Sequence, residues 1–467
     1  MNASSLLPPW RAALVVGLGQ SGLSALRLLA SAGIPVRAYD RRDALALGPT
    51  LEALPEAASA ELLLGEPEVP EAAFAGVDAV VLSPGVPPSP VRARQELHAP
   101  QAIVHGELSL ALLALRRAWP ELPTVLVTGT NGKSTVTSLT GALLAAGGMR
   151  VFCGGNLGTP LADLALSALQ GAAPPDALVI ECSSFQLETL ERHPTAVAMI
   201  LNVTPDHLDR YASIADYAAT KGRIFAGLRP GGLALLDAGD PWTASLRALV
   251  PAGAQVELVD DPSGGAIVGA GPGAALVRGE ESIDRGLLAL AGRHNSKNAL
   301  FALAAARHLG VSVADCERGL AAFRGLPHRM VAVGERDGVI YYDDSKATNV
   351  ASVLASLDGF DRPFVLIAGG RPKGDDFAPL AGLLAGRGRG LVAIGEAAHE
   401  LIAVAMHVVP AREATSMAEA VALARDMASP GDAVVLSPAC ASYDWYESYR
   451  HRGEAFARAV DAVSCRP

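Results

Sequence analysis

The stretch Thr128-Gly129-Thr130-Asn131-Gly132-Lys133-Ser134-Thr135 constrains this chain more tightly than any other. An apolar run, Thr124 to Val127, leads into it, and a helical pattern, Ser134 to Ala146, leads out. A strand that turns through two glycines into a helix leaves backbone N–H groups open at the helix N-terminus, where the macrodipole favours anions. Such a loop cradles phosphates, with Lys133 reaching the terminal ones and Ser134 or Thr135 ligating Mg²⁺. It is a short form of the motif, because Val127 stands where the longer P-loop has its first glycine.

The chain has 467 residues, half of them apolar. At roughly 150 residues per domain that length predicts about three domains. Buried strands alternate with helical patterns throughout, so the fold class is α/β. The spacing divides the chain into a Rossmann-like N-terminal domain over 1–112, a central P-loop ATPase-like parallel-sheet domain over 113–325, and a Rossmann-like C-terminal domain over 326–467. Gly325 and Pro327 mark a hinge before the third, and the Gly-rich stretch Ser263 to Gly273 reads as a surface loop or hairpin of the second. A net charge of −10 without a Lys/Arg block argues against non-specific nucleic-acid binding, so anionic ligands must be met by local cations. Five scattered Cys, including Cys465, with no CxxC give neither a disulfide framework nor a zinc site. No apolar run reaches the length of a membrane span and Met1 to Trp10 is no secretory leader, so the expected location is the cytoplasm.

Other motifs sit where parallel strands end. Glu181 closes the run Ala177 to Glu181 and is placed to hold Mg²⁺ as a second-strand acid. His207 follows the run Ala196 to Leu201 within Asn202-Val203-Thr204-Pro205-Asp206-His207-Leu208-Asp209-Arg210, where a second metal or a phosphate could be aligned. Lys221 lies on a helix, and by itself reads as part of a solvated face. Gly17-Leu18-Gly19-Gln20-Ser21-Gly22 follows a strand, with Asp40 some twenty residues on. That pattern fits NAD or the diphosphate of a nucleotide-sugar, and the phosphate loop elsewhere favours a UDP-type site.

Taken in order, these strings resemble the Mur ligase family, most nearly its D-glutamate-adding type. The resemblance also takes in Gly155-Asn156-Leu157-Gly158, Gly292 to Asn298, Leu326-Pro327-His328-Arg329, Asp344 to Asn349, Gly369 to Lys373 and Ser437 to Ser442. It implies an ATP-dependent ligase that adds D-glutamate to UDP-N-acetylmuramoyl-L-alanine through an acyl phosphate, as a cytoplasmic monomer in peptidoglycan precursor synthesis. Lys133, Glu181, His207 and Lys221 are then the catalytic set. Two Mg²⁺ ions are implied, held by Ser134 and Glu181 and by His207 and a carbamylated Lys221. ATP is implied on Gly129, Thr130, Asn131, Gly132, Lys133, Ser134 and Thr135, with Asn295, Asn298, Arg329 and Asp344 on the adenine and ribose side. Gln20, Ser21, Asp40, Arg41, Ser83 and Gly85 face UDP, and Asn156 the muramoyl arm. Lys346, Thr348, Lys373, Ser442 and Tyr443 bind glutamate. Tyr443 and Tyr449 stand where the family carries Leu and Phe. A sister ligase using another amino acid or L-glutamate is the alternative. A folylpolyglutamate synthase would lack the first domain, and a regulatory nucleotide binder would have no use for the second metal set.

Overall fold

The computed structural model describes residues 6–462 apart from 53–54, 209, 270–272, 291, 358–359 and 361. Asp209, Cys465, Met1 to Ser5 and part of the Gly-rich stretch thus lie outside the described residues. Three sheets follow one another along the chain. The first has five parallel strands, in the order Glu61–Leu64, Val36–Asp40, Ala13–Val16, Ala79–Leu82, Ile103–Gly106. The order reverses beside Ala13–Val16, and a crevice opens at the strand C-termini there, as open parallel sheets require.

The second sheet has nine strands. At its centre Thr124–Thr128 runs parallel to Ala177–Glu181 on one side and Thr195–Ile200 on the other. Each of these three strands is buried along its whole length, which explains their unbroken apolar runs. Their C-termini therefore deliver the phosphate loop, Glu181 and Asn202 to one end of the sheet. The far edge is antiparallel: Gly265–Val268 pairs with Ala275–Arg278, so the Gly-rich stretch belongs to a hairpin joined to this sheet. The third sheet has six strands, parallel except for the edge pair Val331–Arg336 and Val339–Asp343. No residue of Val331–Arg336 is buried, and its antiparallel pairing was not legible in the sequence.

The first two units share a core. Helices Gln20–Ser31, Glu107–Ala118 and Leu161–Leu169 meet in one apolar cluster in which Leu26, Leu110 and Leu161 are fully buried. Residue 112 lies inside helix Glu107–Ala118, so the first unit passes into the second through a continuous helix. Glu107 reaches across to accept the Ala162 N–H at 2.7 Å, and burial pushes its carboxyl up to about 7.

Gly22 shows how tightly the first crevice is built. A Cβ there would lie 1.8 Å from the Gly17 carbonyl oxygen, so helix Gln20–Ser31 approaches the strand end only because residue 22 has no side chain. Gly22→Ala should destabilise the fold by about 1–3 kcal/mol through overpacking. Urea unfolding would show it as a lowered midpoint with an unchanged slope.

Candidate functional site

The phosphate loop is held from below by one side chain. Asn202, two residues past strand Thr195–Ile200, accepts the Thr130 and Asn131 N–H groups on Oδ1 at 3.1 and 2.8 Å and donates to the Asn131 carbonyl at 3.1 Å. Gly132 then turns with φ 84° and starts helix Lys133–Ala146 without a side-chain cap. A Cβ at Gly132 would meet Asn298 Oδ1 at 2.7 Å. The helix thus begins at Lys133, one residue before the expected start.

Lys133 folds back on its own loop and donates to the carbonyls of Gly129 and Thr130 at 2.9 and 2.7 Å. Lys221 is only 1% exposed, not on a solvated face. Its helix, Ile214–Gly222, turns it inward, where Nζ donates to the same Gly129 carbonyl at 2.9 Å and sits 4.2 Å from the Tyr217 ring centroid. Burial, and then the neighbouring Lys133, push the Lys221 ammonium well below the ordinary lysine range. Burial likewise lowers Lys133, opposed by Glu181 and Asp206.

Glu181 is buried beside this pair. Its Oε1 accepts from Asn156 Nδ2 at 2.6 Å, and its Oε2 is buried with no hydrogen-bond partner. An oxygen so placed is strongly desolvated unless a cation or donor completes it. His207 has φ 56°, its N–H donates to Asp206 Oδ1 at 3.0 Å, and its ring lies 4.8 Å from that of Phe185.

The third unit supplies the opposite wall. Arg329 donates to Ser134 Oγ at 3.0 Å, and Ser352 donates to Asn131 Oδ1 at 2.7 Å. Lys346 stands 4.0 Å from the Tyr449 ring centroid, and burial, then Arg329, bring its ammonium down to about 8. Lys373 lies 3.5 Å from Thr348 Oγ1 and 4.0 Å from Asp206. The enclosed cleft measures about 370 Å³, and Lys133, Lys221, Arg329, Lys346 and Lys373 all line it. Local cations thus converge in a chain of net charge −10, an arrangement suited to a polyanion. Thr130, Asn131, Ser134, Asn156, Glu181, His207, Thr348 and Tyr443 line it too. Ser442 is buried and lies outside that lining.

A smaller cavity adjoins the cleft, lined by Asn131, Gly132, Thr135, Asn295, Asn298, Arg329 and Asp344 with Leu290 and Met330. The four residues expected on the adenine and ribose side are therefore together. Asp344 is fully enclosed and accepts from Ser437 Oγ at 2.7 Å. At the first sheet, Gly17, Tyr39, Asp40, Arg41, Gly85 and Val86 line a separate cavity of about 540 Å³. Burial alone would raise the Asp40 carboxyl, but Arg42 and the N–H groups of Arg42 and Leu18 outweigh it and bring it to about 2. Ser83 is buried next to this cavity, while Gln20 and Ser21 start helix Gln20–Ser31 and line neither cavity.

Sequence reasoning gave no role to Asn202, Ser352 or Phe185. A polar residue just past a buried strand was the available signal for Asn202. Ser352 and Phe185 had none, because their positions depend on how separate sheets meet. Among the described residues, no helix is long and apolar enough to cross a membrane.

The chain matches three family domains: the Mur ligase MurD-like N-terminal domain over residues 11–104, the Mur ligase middle domain over 127–306, and the Mur ligase glutamate ligase domain over 328–440. It is 45% identical to the UDP-N-acetylmuramoylalanine–D-glutamate ligase of Anaeromyxobacter dehalogenans, across 95% of this chain and 96% of that one. It is 42% identical to the protein of the same name in Aromatoleum aromaticum, across 96% of each. In architecture it is similar to a pseudomurein peptide ligase type C from Methanothermus fervidus, with a TM-score of 0.60 at 17% identity, covering 97% of this chain and 100% of that one.

Burial raises the Asp344 carboxyl to about 7, with Ser437 opposing. The folded protein thus keeps a proton that the unfolded chain loses near pH 4, so stability falls as pH rises from about 4 to about 7. Asp344→Asn should remove that part of the fall, which is on the order of 4 kcal/mol. Unfolding free energies of both proteins at several pH values would show the two curves diverging toward pH 7.

Proposed function

The chain belongs to the Mur ligase family, and we propose that its cleft carries out the ATP-driven joining of D-glutamate to the terminal carboxylate of UDP-N-acetylmuramoyl-L-alanine. The observation that carries this reading is the convergence of five basic side chains and the unpartnered Glu181 Oε2 on one phosphate loop, from two separate sheets. Phosphoryl transfer to a carboxylate needs little covalent help from the protein, but it does need positioning and charge neutralisation.

The loop N–H groups and Lys133 would hold the β- and γ-phosphates, with adenine and ribose against Asn295, Asn298, Arg329 and Asp344. The UDP group would lie in the first-sheet cavity at Asp40, Arg41 and Gly85, and the sugar arm would pass Asn156. The substrate carboxylate attacks the γ-phosphorus, ADP leaves, and an acyl phosphate forms. Lys346, Thr348 and Lys373 would hold D-glutamate, whose neutral amine attacks the acyl carbon. The C–O bond breaks, inorganic phosphate leaves with the proton the nitrogen gives up, and the amide remains. Because the acyl phosphate is open to hydrolysis, the walls from the second and third sheets must exclude water.

The residues present suit Mg²⁺. Among the described residues no three His, Cys, Asp or Glu side chains form a ready-made cluster. Mg²⁺ bound through one carboxylate and substrate phosphates needs none. Ser134 and Glu181 would hold one ion and His207 and Lys221 a second, and the bound metal supplies charge neutralisation and phosphate orientation. Lys221 suits carbamylation: its burial favours the neutral amine that adds to CO₂, and the resulting anion relieves the repulsion from Lys133.

Phosphate release with ATP and UDP-N-acetylmuramoyl-L-alanine should be triggered by D-glutamate. Release triggered only by another amino acid would overturn the assignment. Lys133→Ala should lose about 10²–10³ in turnover, the usual effect of removing one preorganised charge contact. Its affinity for the UDP substrate should not change. Lys221→Ala should be inactive and partly regain activity in acetate, which can occupy the vacated anion position. Wild-type rates for Lys221→Ala would refute the carbamate.

A further inference from the structure

Arg210 lines neither the first-sheet cavity nor the cleft, yet it touches the walls of both. Its Nε and Nη2 donate to the two carboxylate oxygens of Glu188 at 3.0 and 2.6 Å, a fork that fixes the guanidinium plane. On the other side Nη1 donates to the Gly85 carbonyl at 3.4 Å and Nη2 to the Val86 carbonyl at 3.3 Å. Those two residues line the first-sheet cavity. The guanidinium carbon also stands 4.3 Å from the centroid of Phe185, the ring on which His207 rests.

The backbone closes the connection. The N–H groups of Arg210 and Tyr211 both donate to the His207 carbonyl, at 3.0 and 3.2 Å. His207 has a positive φ, which a non-glycine residue keeps only when its surroundings over-determine it. Arg210 therefore joins three things: the turn at Gly85 and Val86, the ring under His207, and the peptide that holds His207 in its strained conformation. The ion pair is only slightly exposed, at 12% and 15% for the two side chains. Its geometry is thus less screened than that of a surface pair.

We propose that Arg210 is a positioning residue through which a nucleotide-sugar in the first-sheet cavity sets the position of His207, and so the affinity of the cleft for Mg²⁺–nucleotide. This rests on the placement of UDP and ATP given above. A ligand that presses on the turn at Gly85 and Val86 moves or locks the guanidinium, which carries the constraint to Phe185 and the His207 peptide. Lysine keeps the charge but cannot form the fork, so it should break the coupling without leaving Glu188 unpaired.

The test measures affinity for a non-hydrolysable ATP analogue with Mg²⁺ by calorimetry, with and without saturating UDP-N-acetylmuramoyl-L-alanine. In the wild type the two affinities should differ by about fivefold or more, the usual lower range for coupled sites. In Arg210→Lys, and in the charge-neutral double variant Arg210→Met with Glu188→Gln, the ratio should shrink to within about twofold. Each ligand should still bind these variants on its own, and melting temperatures should be retained. An unchanged ratio in both variants, or no coupling in the wild type, would refute the proposal while leaving the placement of the ligands intact. Loss of the folded state in both variants would reduce Arg210 to a structural part and refute it too. Failure of the wild type to bind the UDP substrate would overturn the placement itself, and this proposal with it.

Discussion

Two lysines, one half-buried and one buried, share one carbonyl oxygen: Lys133 and Lys221 both donate to Gly129 at 2.9 Å. Much of the site is arranged around that constraint. Like charges brought out of water repel, so this part of the molecule is stable only if negative charge comes close or one amine stays neutral. Glu181 supplies a carboxylate whose second oxygen is unpartnered, and a bound nucleotide would supply phosphates. A carbamate on Lys221 would turn a repulsive pair into an attractive one.

The same loop depends on parts that are far apart in the chain. Asn202 fixes its backbone from the adjacent strand, Asn298 fills the space left by the missing side chain of Gly132, and Ser352 and Arg329 reach it from the third sheet. Long-range convergence is what a three-substrate reaction with a hydrolysable intermediate needs. In the proposed reaction one sheet would prepare the electrophile and another present the amine, with water excluded from the space between them.

The sequence revealed the parts whose position is set locally. Ala177–Glu181 is a buried strand, so Glu181 must emerge at its C-terminal end, and the glycines of the phosphate loop forced a turn into a helix. Lys221 shows the limit of such reading. Its helix is short and mixed in composition, and which face is buried depends on the Gly129 carbonyl across the site. Only the resemblance to a family moved that lysine from the surface to the centre. Ser442 shows the converse, since its motif is clear but its side chain is buried away from the cleft lining. Ser352, Phe185 and Arg210 act across boundaries between sheets, and no pattern of period two or 3.6 encodes such contacts.

In the proposed reaction the substrate carboxylate is phosphorylated before its carbon is attacked by the amine. Labelling that carboxylate of UDP-N-acetylmuramoyl-L-alanine with ¹⁸O and following D-glutamate-dependent turnover tests it directly. An acyl phosphate returns one substrate oxygen to the phosphate when the C–O bond breaks, so the released inorganic phosphate should carry one ¹⁸O atom. Inorganic phosphate free of label, with both labelled oxygens accounted for elsewhere, would contradict it.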